Sequence, residues 1–388
     1  MTDFHRLKKE LITYSKKAGI DKIGFTTADP FTELKARLYK QQALGYQSGF
    51  EEKDIEKRTE PSLLMDGVKS IISIAMAYPK KMARRPANTR GNRRGAFARV
   101  SWGKDYHVIL RDRLQKLGDF LVDQVPGARY KSMVDTGELS DRAVAERAGI
   151  GWSGKNTNLI TQEFGSYVYL GEMLTNIPFP PNRPATDLCG DCTICLDHCP
   201  TGALIQGGQL NSRKCIAYLT QTRQELPDAY KKAVGNRLYG CDTCQQVCPY
   251  NRDVDSHFHE EMEPDPELAR PLLKPLLSLS NREFRETFGA LSGSWRGKKP
   301  IQRNAIVALG NYKETDAAPE LLRLLREDPR PVIRRTATWA LQKMWDRLEH
   351  DMRTHIIQSL EDLYGKETDE KVRSWIEGRL DSGADSSS

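Results

Sequence analysis

The 388-residue chain has no cysteine outside residues 189–248, where all eight of its cysteines lie. It has no apolar run of membrane length, and its first ten residues are too polar for a secretory signal. These absences argue against a membrane-spanning protein and against a secreted protein held by disulfides, which persist in oxidising compartments. We therefore predict a cytoplasmic protein with no membrane partner, whose cysteines bind a cofactor.

Acidic residues are absent from two long stretches, residues 67–104 and residues 287–313. The first stretch contains ten lysines and arginines and the second contains five. The net charge of the whole chain is only +7, so positive charge is concentrated in these stretches. Such blocks form either an ordinary solvated surface or a binding surface for a polyanion, and charge alone leaves both interpretations open.

Several common signatures of enzymes are also missing. The chain has no Walker A loop, no H-E-x-x-H motif and no dinucleotide-binding G-x-G-x-x-G directly after a strand. Gly149, Gly151 and Gly154 have the dinucleotide-binding spacing, but they follow a predicted helix. We interpret this segment as a loop.

The spacing of the cysteines predicts iron–sulfur clusters. The first group is Cys189-x2-Cys192-x2-Cys195-x3-Cys199-Pro200, and the second is Cys215 followed later by Cys241-x2-Cys244-x3-Cys248-Pro249. In bacterial two-cluster ferredoxins, three cysteines at such spacing wrap one [4Fe–4S] cube and the cysteine before proline binds the other. The predicted ligands are Cys189, Cys192, Cys195 and Cys248 for the first cluster, and Cys199, Cys215, Cys241 and Cys244 for the second. Zinc is an alternative, although this spacing suits a tetrahedral site poorly.

Hydrophobic patterning divides the chain into regions. Helical and strand-like segments alternate over the first 180 residues, which indicates an α/β domain, and residues 70–78 resemble a strand buried on both faces. Beyond the cysteines the chain is helical, and residues 301–309 match residues 333–341 at an offset of 32, which is typical of HEAT-like repeats. The predicted regions are 1–180 (catalytic α/β domain), 181–255 (ferredoxin-like cluster domain), 270–380 (HEAT-like repeats) and 381–388 (disordered tail).

One aspartate is a candidate catalytic acid. Asp135 follows a predicted strand at residues 131–134, a position from which its side chain can project into a cleft. Partial removal from water there would raise its pKa enough for proton donation near neutrality. The alternative is a turn-forming Asp-x-Gly, since Gly137 follows two residues later.

The combined motifs resemble a known family over nearly the whole chain. Val-Asp-Thr-Gly at 134–137, Gly-Ile-Gly-Trp-Ser-Gly-Lys-Asn-Thr-Asn at 149–158, the two-cluster cysteines and Arg-Asn-Ala-Ile-Val-Ala-Leu-Gly-Asn at 303–311 are similar to epoxyqueuosine reductases. The resemblance implies an oxidoreductase that reduces the epoxide of epoxyqueuosine at the wobble position of tRNA, giving queuosine in the last step of its biosynthesis. It also implies a cobalamin domain similar to that of reductive dehalogenases.

The same resemblance implies the cofactors and their site. Two [4Fe–4S] clusters, supplied by an external low-potential electron donor, would reduce the cobalamin to cob(I)alamin, and Asp135 would donate the proton. The D-x-H-x-x-G motif that supplies a lower cobalt ligand elsewhere is missing, which agrees with base-off cobalamin. The residues expected around the corrin are Arg58, Ala98, Asp135, Lys155, Asn156, Ser166, Tyr218 and Asp242. Ordinary packing or capping is the alternative role for these residues other than Arg58 and Asp135.

The resemblance also implies a tRNA-binding face on the repeats. The residues expected to contact the anticodon stem are Arg296, Lys298, Lys299, Arg303, Arg334 and Arg335. The alternative is that they are ordinary surface charges. Two other functions stay open, a reductive dehalogenase and a non-catalytic iron–sulfur electron-transfer subunit, although the export signal typical of dehalogenases is missing from residues 1–10. Nothing in the sequence requires a partner subunit, so we predict a monomer.

Overall fold

The structure is a computed structural model that describes the backbone of residues 3–384 and the side chains of residues 3–381. Its α-helices are α1 (Phe4–Lys17), α2 (Thr32–Ala43), α3 (Ile55–Thr59), α4 (Tyr106–Gln124), α5 (Asp141–Arg147), α6 (Ile194–Asp197), α7 (Ile216–Leu219), α8 (Asp228–Val234), α9 (Thr243–Gln246), α10 (Pro266–Ala269), α11 (Asn281–Phe288), α12 (Lys298–Tyr312), α13 (Ala318–Glu327), α14 (Pro331–Met344), α15 (His350–Tyr364) and α16 (Glu370–Ala384). Its strands are β1 (Lys22–Thr27), β2 (Ser70–Ala77), β3 (Ala96–Phe97), β4 (Tyr130–Met133), β5 (Trp152–Ser153), β6 (Leu159–Ile160), β7 (Val168–Thr175), β8 (Leu204–Gln206), β9 (Gln209–Leu210) and β10 (Arg237–Tyr239). Within this range, no helix combines the length and apolarity that crossing a membrane requires.

The chain forms two compact units, each built from segments that are distant in sequence. Unit 1 contains the residues up to Met82, Arg99–Tyr218 and Asp242–Pro264, and unit 2 contains Ala83–Ala98, Leu219–Cys241 and the residues from Asp265 onward. The structure groups residues 83–98 with residues 219–241 in unit 2, and the predicted domain bounds stay predictions. The physical reason is pairing between distant segments, since β3 pairs in parallel with β10 inside unit 2.

A four-stranded sheet in the order β1-β2-β7-β4 forms the centre of unit 1, and every neighbouring pair is antiparallel. All eight residues of β2 are buried, which confirms the prediction of a strand covered on both faces. Its side chains alternate between the faces, as a period of two requires. Ile72, Ile74 and Met76 pack in a core with α1 and α4, whereas Ala75 packs with α5 on the other face.

This strand order determines which loops share an edge of the sheet. Because neighbouring strands are antiparallel, β2 and β4 end at the edge where β1 and β7 begin. Asp135 follows β4, and Tyr78 follows β2. Ser166 and Tyr167 precede β7, and the Tyr167 carbonyl accepts a hydrogen bond from the Tyr78 N–H at 3.0 Å. The sheet therefore brings chemically active residues from separate parts of the sequence to one edge.

The helical repeats form most of unit 2 and confirm the predicted repeat. The matched segments lie in α12 and α14, which pack against each other. A Cβ atom at Gly310 would lie 2.6 Å from the Trp339 ring and 3.0 Å from the Ala340 Cα, so only glycine permits this approach. The last helix, α16, is anchored by buried Val372 and Ile376 and extends to Ala384. The predicted disordered tail at residues 381–388 stays a prediction, and residues 385–388 lie outside the described residues.

Candidate active site and cluster ligands

Asp135 occupies an exposed and conformationally unusual position after β4. Its φ is 52°, in the left-handed region that non-glycine residues rarely adopt. Its backbone N–H donates a hydrogen bond to Asp141 Oδ2 at 2.9 Å, and its side chain is 62% exposed. A left-handed aspartate persists only where surrounding contacts hold it, and such residues concentrate at functional sites. The Asp135 side chain is thus accessible to a ligand, while its backbone is held by the hydrogen bond to Asp141.

His107, at the start of α4, lies between two carboxyl groups. Asp105 Oδ1 accepts the His107 backbone N–H at 3.0 Å and lies 2.7 Å from His107 Nδ1, so this N-cap residue also orients the imidazole. His107 Nε2 lies 3.5 Å from Asp135 Oδ2, a distance of ion pairing at which hydrogen-bond geometry is not reached. The sequence analysis missed His107. A signal for His107 was present in the sequence, since Asp105 lies two residues before it at the start of a predicted helix, where an N-cap aspartate can contact the histidine.

Aromatic stacking fixes the imidazole further. The rings of His107 and Tyr106 stack at 4.2 Å, and Tyr106 stacks on Tyr169 of β7 at 4.5 Å. The Tyr169 hydroxyl donates a hydrogen bond to the Val100 carbonyl at 3.1 Å, which anchors the stack. The imidazole is therefore positioned by the sheet as well as by its own helix.

The charges of this pair correct the predicted protonation of Asp135. The interaction with His107 lowers the pKa of Asp135, against the opposing effect of burial. Burial lowers the pKa of His107, but its contacts with Asp105 and Asp135 outweigh this and raise the pKa to about 9. The expected upward shift of the Asp135 pKa is therefore wrong. At neutral pH the proton resides on the imidazole and Asp135 is ionised.

Two further carboxyl groups lie behind Asp135. Burial and the charge of Asp135 raise the pKa of Asp141 to about 6, and burial together with Asp141 raises the pKa of Glu172 well above its usual value. Glu172 is fully buried on β7, and among the described residues neither of its oxygens has a partner in hydrogen-bond geometry. Asp141 raises the pKa of Glu172, whereas Glu172 lowers the pKa of Asp141, without a well-aligned hydrogen bond between them.

Three of the predicted corrin residues, Arg58, Lys155 and Asn156, lie in unit 1. Arg58, in α3, is close enough to Arg142 that the two charges interact, and Arg142 in turn lowers the pKa of Asp135. Lys155 Nζ donates a hydrogen bond to the Gly190 carbonyl at 2.6 Å, which links its loop to the first cysteine group. Asn156 is buried, and its side-chain oxygen accepts the Asn158 N–H at 3.0 Å. Arg58 is thus electrostatically connected to Asp135, while Lys155 and Asn156 organise the loop.

Other members of the predicted corrin set have structural contacts. The Ser166 hydroxyl accepts hydrogen bonds from Asn251 Nδ2 at 2.8 Å and from Gln245 Nε2 at 3.2 Å. Asp242 Oδ2 accepts one from Arg99 Nη1 at 2.8 Å. These bonds occupy buried polar groups, so they support the packing alternative for Ser166 and Asp242. Their roles at the corrin, like those of the other members, stay predictions.

Tyr218 and Ala98 complete the set, and they lie in different units. The Tyr218 ring packs against Phe50 at 5.3 Å in unit 1. Ala98 lies in unit 2, where its N–H donates to the Tyr239 carbonyl at 2.9 Å. A Cβ at Gly240 would approach the Ala98 Cβ to 2.5 Å, so this segment needs a small residue at both positions.

The first predicted set of cluster ligands is brought together. Burial raises the pKa of Cys248, and the neighbouring thiols Cys189 and Cys192 add to the shift. Burial also raises the pKa of Cys195, with contributions from Cys248 and Cys192. Thiols crowded in this way repel one another when ionised, and a cationic iron cluster removes that repulsion. These four residues therefore fit a cluster.

The thiol arrangement argues against the other cysteine chemistries. All eight cysteines are free thiols, so no disulfide forms. Among the described residues, no three His, Cys, Asp or Glu side chains gather tightly enough for a single metal ion. A tetrahedral zinc with Zn–S bonds of about 2.3 Å needs such tight gathering, whereas a cube spreads its thiolates over separate corners. The spacing favours clusters over zinc.

The second predicted set is distributed over both units. Cys199, Cys215 and Cys244 belong to unit 1, and Cys241 is the last residue of a unit 2 segment. Against burial, the backbone N–H groups of Leu204, Thr201 and Ala203 lower the pKa of Cys199, and the Ala203 nitrogen lies 3.2 Å from its sulfur. Cys244 Sγ accepts a hydrogen bond from Asn158 Nδ2 at 3.8 Å. Donors aimed at these sulfurs suit thiolate ligands.

Comparison with known proteins identifies the family. The model of epoxyqueuosine reductase QueG, DUF1730, matches residues 58–136. The model of a 4Fe-4S double cluster binding domain matches residues 188–251, and the model of HEAT repeats matches residues 296–380. An epoxyqueuosine reductase of Bacillus anthracis is 65% identical over 342 residues, which cover 88% of this chain and 90% of that relative. The chain belongs to the epoxyqueuosine reductase family.

Solved structures agree with this family. A crystal structure of epoxyqueuosine reductase with a tRNA-Tyr epoxyqueuosine-modified stem loop is 59% identical, with a TM-score of 0.93, and the match covers 98% of this chain and 99% of that one. The Bacillus subtilis enzyme, solved with its catalytic Asp loop swung out of the active site, is 58% identical at the same TM-score of 0.93 and with the same 98% and 99% coverage. The predicted resemblance and the oxidoreductase class are confirmed. The dehalogenase and electron-carrier alternatives are not supported.

Three arginines of the tRNA-binding set that was predicted from the family resemblance have contacts inside unit 2. Arg303 is 1% exposed and donates hydrogen bonds to the Leu219 carbonyl at 2.7 Å and the Thr222 carbonyl at 2.8 Å. The other two are engaged by carboxylates: Arg334 pairs with Glu367 at 2.7 Å and Arg335 pairs with Asp369 at 2.7 Å. The burial of Arg303 supports a structural role for that residue, whereas phosphate contacts by Arg334 and Arg335 stay predictions.

The remaining cations of that set lie around the start of α12. Lys298 Nζ donates to the Leu279 carbonyl at 2.7 Å, while Lys299 is half-buried. The guanidinium of Arg296 stacks on the Trp295 ring at 4.8 Å, and that ring is largely exposed. An exposed aromatic next to cations is a common feature of RNA-binding surfaces. Arg296, Lys298 and Lys299 therefore stay predictions.

Proposed function

We propose that this protein reduces the epoxide of epoxyqueuosine at the wobble position of tRNA to queuosine, with Asp135 delivering a proton to the substrate oxygen. Family membership supports the reduction, and the relative solved with a modified stem loop supports an RNA substrate. The observation that carries the chemistry is the His107–Asp135 pair, in which an exposed carboxylate lies next to a protonated imidazole. This is the arrangement needed to protonate an oxygen that develops negative charge.

The cofactor part of the proposal is cobalamin at the sheet edge, held by Arg58, Lys155, Asn156 and Tyr218 among the predicted corrin residues. One orphaned polar group supports the fit. The Tyr167 hydroxyl, at the same edge, is buried and has no hydrogen-bond partner among the described residues. The rim of a corrin carries amide groups that could accept that bond. Cobalamin supplies a low-potential nucleophilic cobalt, and the two clusters supply it with single electrons.

The residues of the chain perform the proton chemistry. Conversion of an epoxide to an alkene and water consumes two electrons and two protons, and the first oxygen intermediate is a basic alkoxide. Asp135 is exposed enough to reach that oxygen, whereas His107 is held behind it by Asp105 and the aromatic stack. The first proton moves from His107 Nε2 to Asp135 Oδ2 and then to the substrate oxygen; the second comes from solvent, and the oxygen leaves as water. Closing the 3.5 Å gap when substrate binds would align this transfer.

The Asp135 loop is the element expected to adjust. Its N–H bond to Asp141 holds the left-handed backbone in place. The Bacillus subtilis relative with its catalytic Asp loop swung out supports a loop that can leave this position. We infer that the bond to Asp141 stabilises the inward position, in which Asp135 faces His107.

The RNA-binding part of the proposal assigns the anticodon stem to unit 2. Arg296, Lys298 and Lys299 are retained there, and the acid-free segment adds exposed Arg84 and Arg85 in the same unit. Phosphate contacts give affinity that does not depend on the base sequence. Selectivity for the substrate therefore has to come from recognition of the modified base in the active site. Binding should therefore weaken steeply as salt concentration increases.

An anaerobic turnover assay tests the proposal. The reconstituted protein, with cobalamin and a low-potential reductant, is expected to convert epoxyqueuosine in tRNA to queuosine, measured by mass spectrometry of nucleosides. Asp135→Asn should lower the rate by about 10²- to 10⁴-fold, the usual range for a general acid. The matched control, Asp123→Asn, changes an exposed aspartate at the far end of α4 and should keep full activity.

Two results would contradict the proposal at different points. Full activity of Asp135→Asn would remove Asp135 from the proton transfer while leaving the reaction intact. Absence of a cobalamin absorption band after reconstitution and desalting, with turnover unaffected, would remove the cofactor assignment.

A further inference from the structure

Asn158 connects the α/β core to a cysteine of the second predicted cluster. Its side-chain Nδ2 lies 3.8 Å from Cys244 Sγ, within the range of hydrogen bonds to sulfur. Asn158 directly precedes β6, whereas Cys244 lies in α9, and both belong to unit 1. A side-chain amide from one element thus donates to a predicted iron ligand on another.

The loop that carries Asn158 is fixed from several directions. The Asn158 N–H donates to Asn156 Oδ1 at 3.0 Å, and the Asn158 carbonyl accepts the Gly154 N–H at 2.8 Å. The loop joins β5 to β6, which pair with each other through Trp152 and Ile160. Trp152 also packs edge-on against Tyr250 at 4.9 Å, close to the cysteine-bearing segment. The backbone that carries the Asn158 side chain is therefore held by contacts on both sides of the loop.

Hydrogen bonds to the sulfur atoms are among the main determinants of iron–sulfur reduction potentials. A donor stabilises the more negative, reduced cluster and so raises its potential. We propose that Asn158 sets the potential of the second cluster by donating this hydrogen bond to Cys244 Sγ. The proposal rests on the cluster assignment within the proposed function, and it names a tuning residue outside the proton machinery.

A side-chain donor differs from the backbone donors at the same set of ligands. The Ala203 N–H that approaches Cys199 at 3.2 Å remains whatever side chain occupies position 203. The Asn158 amide can be removed by substitution with a residue of nearly equal size. Its contribution can therefore be measured separately from the general polarity of the site.

Anaerobic redox titration followed by electron paramagnetic resonance tests the proposal on the full chain. Asn158→Leu is expected to shift the midpoint potential of one cluster to a more negative value and leave the other unchanged, so the first cluster is an internal control. Asn158→Gln keeps an amide and should recover part of the shift. The matched control, Asn92→Leu, alters an exposed residue of unit 2 and should leave both potentials unchanged.

Equal midpoint potentials in wild type and Asn158→Leu, at equal iron content, would overturn the proposal. If the leucine variant loses iron, the proposal can still be tested on the wild-type protein. Its asparagines are labelled with nitrogen-15, and paramagnetic resonance of the reduced clusters is used to detect a nearby labelled amide. A hyperfine coupling from an asparagine amide to one reduced cluster is expected, and its absence would also overturn the proposal. Neither measurement uses tRNA or turnover, so a wrong substrate assignment would leave the result unaffected.

Discussion

Asp135 in unit 1 and Arg303 in unit 2 were both predicted as functional charges, and their surroundings differ completely. Asp135 is largely exposed, has an unusual backbone conformation and lies next to a protonated histidine. Arg303 is buried, and backbone carbonyl groups accept the hydrogen bonds of its guanidinium. The first charge is available to a ligand, whereas the second stabilises a fold. Satisfaction of hydrogen-bonding groups, more than charge itself, distinguishes the two roles.

Arg303 also contacts the long segment that separates Cys215 from the other cysteines of the second group. Cys215 is separated from Cys241 by a segment that contains α8 and β10 and belongs mostly to unit 2. Arg303 binds the carbonyl groups of Leu219 and Thr222 in this segment, and Asn304 Nδ2 donates to the carbonyl of Leu238 at 2.7 Å. The insertion between two cluster ligands is therefore anchored to the first repeat helix.

The largest expected effect concerns the exposed site. His107→Gln should lower turnover by about 10²- to 10⁴-fold, because it removes the group that stores the proton for Asp135. If the two residues act as one unit, the His107→Gln/Asp135→Asn double variant should be no slower than about the worse single variant. Single-turnover nucleoside analysis measures this. Effects that multiply in the double variant would show that the residues act independently.

The buried site should affect stability instead. Arg303→Met should lower the free energy of unfolding by about 2–4 kcal/mol, because it leaves buried carbonyl groups without donors. Urea denaturation followed by circular dichroism measures the change. The matched control, Arg326→Met, alters an exposed arginine of α13 and should change stability by less than about 0.5 kcal/mol. A similar small effect at both positions would refute the structural role of Arg303.

The pH dependence of activity and of stability should follow the titration of the His107 imidazole. Because the folded pKa of His107 is about 9, the pair holds its proton at neutral pH, and activity should fall as pH rises through that value. The stability contribution has the same sign: it is complete below the unfolded pKa of about 6.5 and is lost as pH rises through the folded pKa. His107→Gln should lose this alkaline limb in a kcat–pH profile. An identical limb in that variant would assign it to another group.

The smallest expected effect is on RNA affinity. Lys299→Gln should weaken tRNA binding less than tenfold and reduce the slope of log affinity against log salt by about 1. Arg334→Gln removes the same charge from a residue already paired with Glu367, and it should leave that slope unchanged. Filter binding at several salt concentrations compares the two. Equal slope changes would place Arg334 in the phosphate-binding set.

The sequence by itself determined the features that depend on short distances along the chain. Cysteines at x2 and x3 spacing converge because short turns and helices bring them together, and a repeat of 32 residues is visible as matched letters. The buried strand β2 was also predictable, since a continuous apolar run has no polar face to expose. Asp135 was identified by its position after a strand, and the family resemblance supported it.

Only the tertiary structure decided the chemistry around those features. The antiparallel sheet and the start of α4 bring His107 to Asp135, which moves the proton from the carboxyl to the imidazole. Packing within unit 2 buries Arg303 and groups residues 219–241 with the helical repeats. Protonation and burial depend on neighbours that are distant in sequence. Spacing along the chain predicts which residues are candidates for catalysis or binding. The fold determines which of these residues are exposed to a ligand and which are buried in structural contacts.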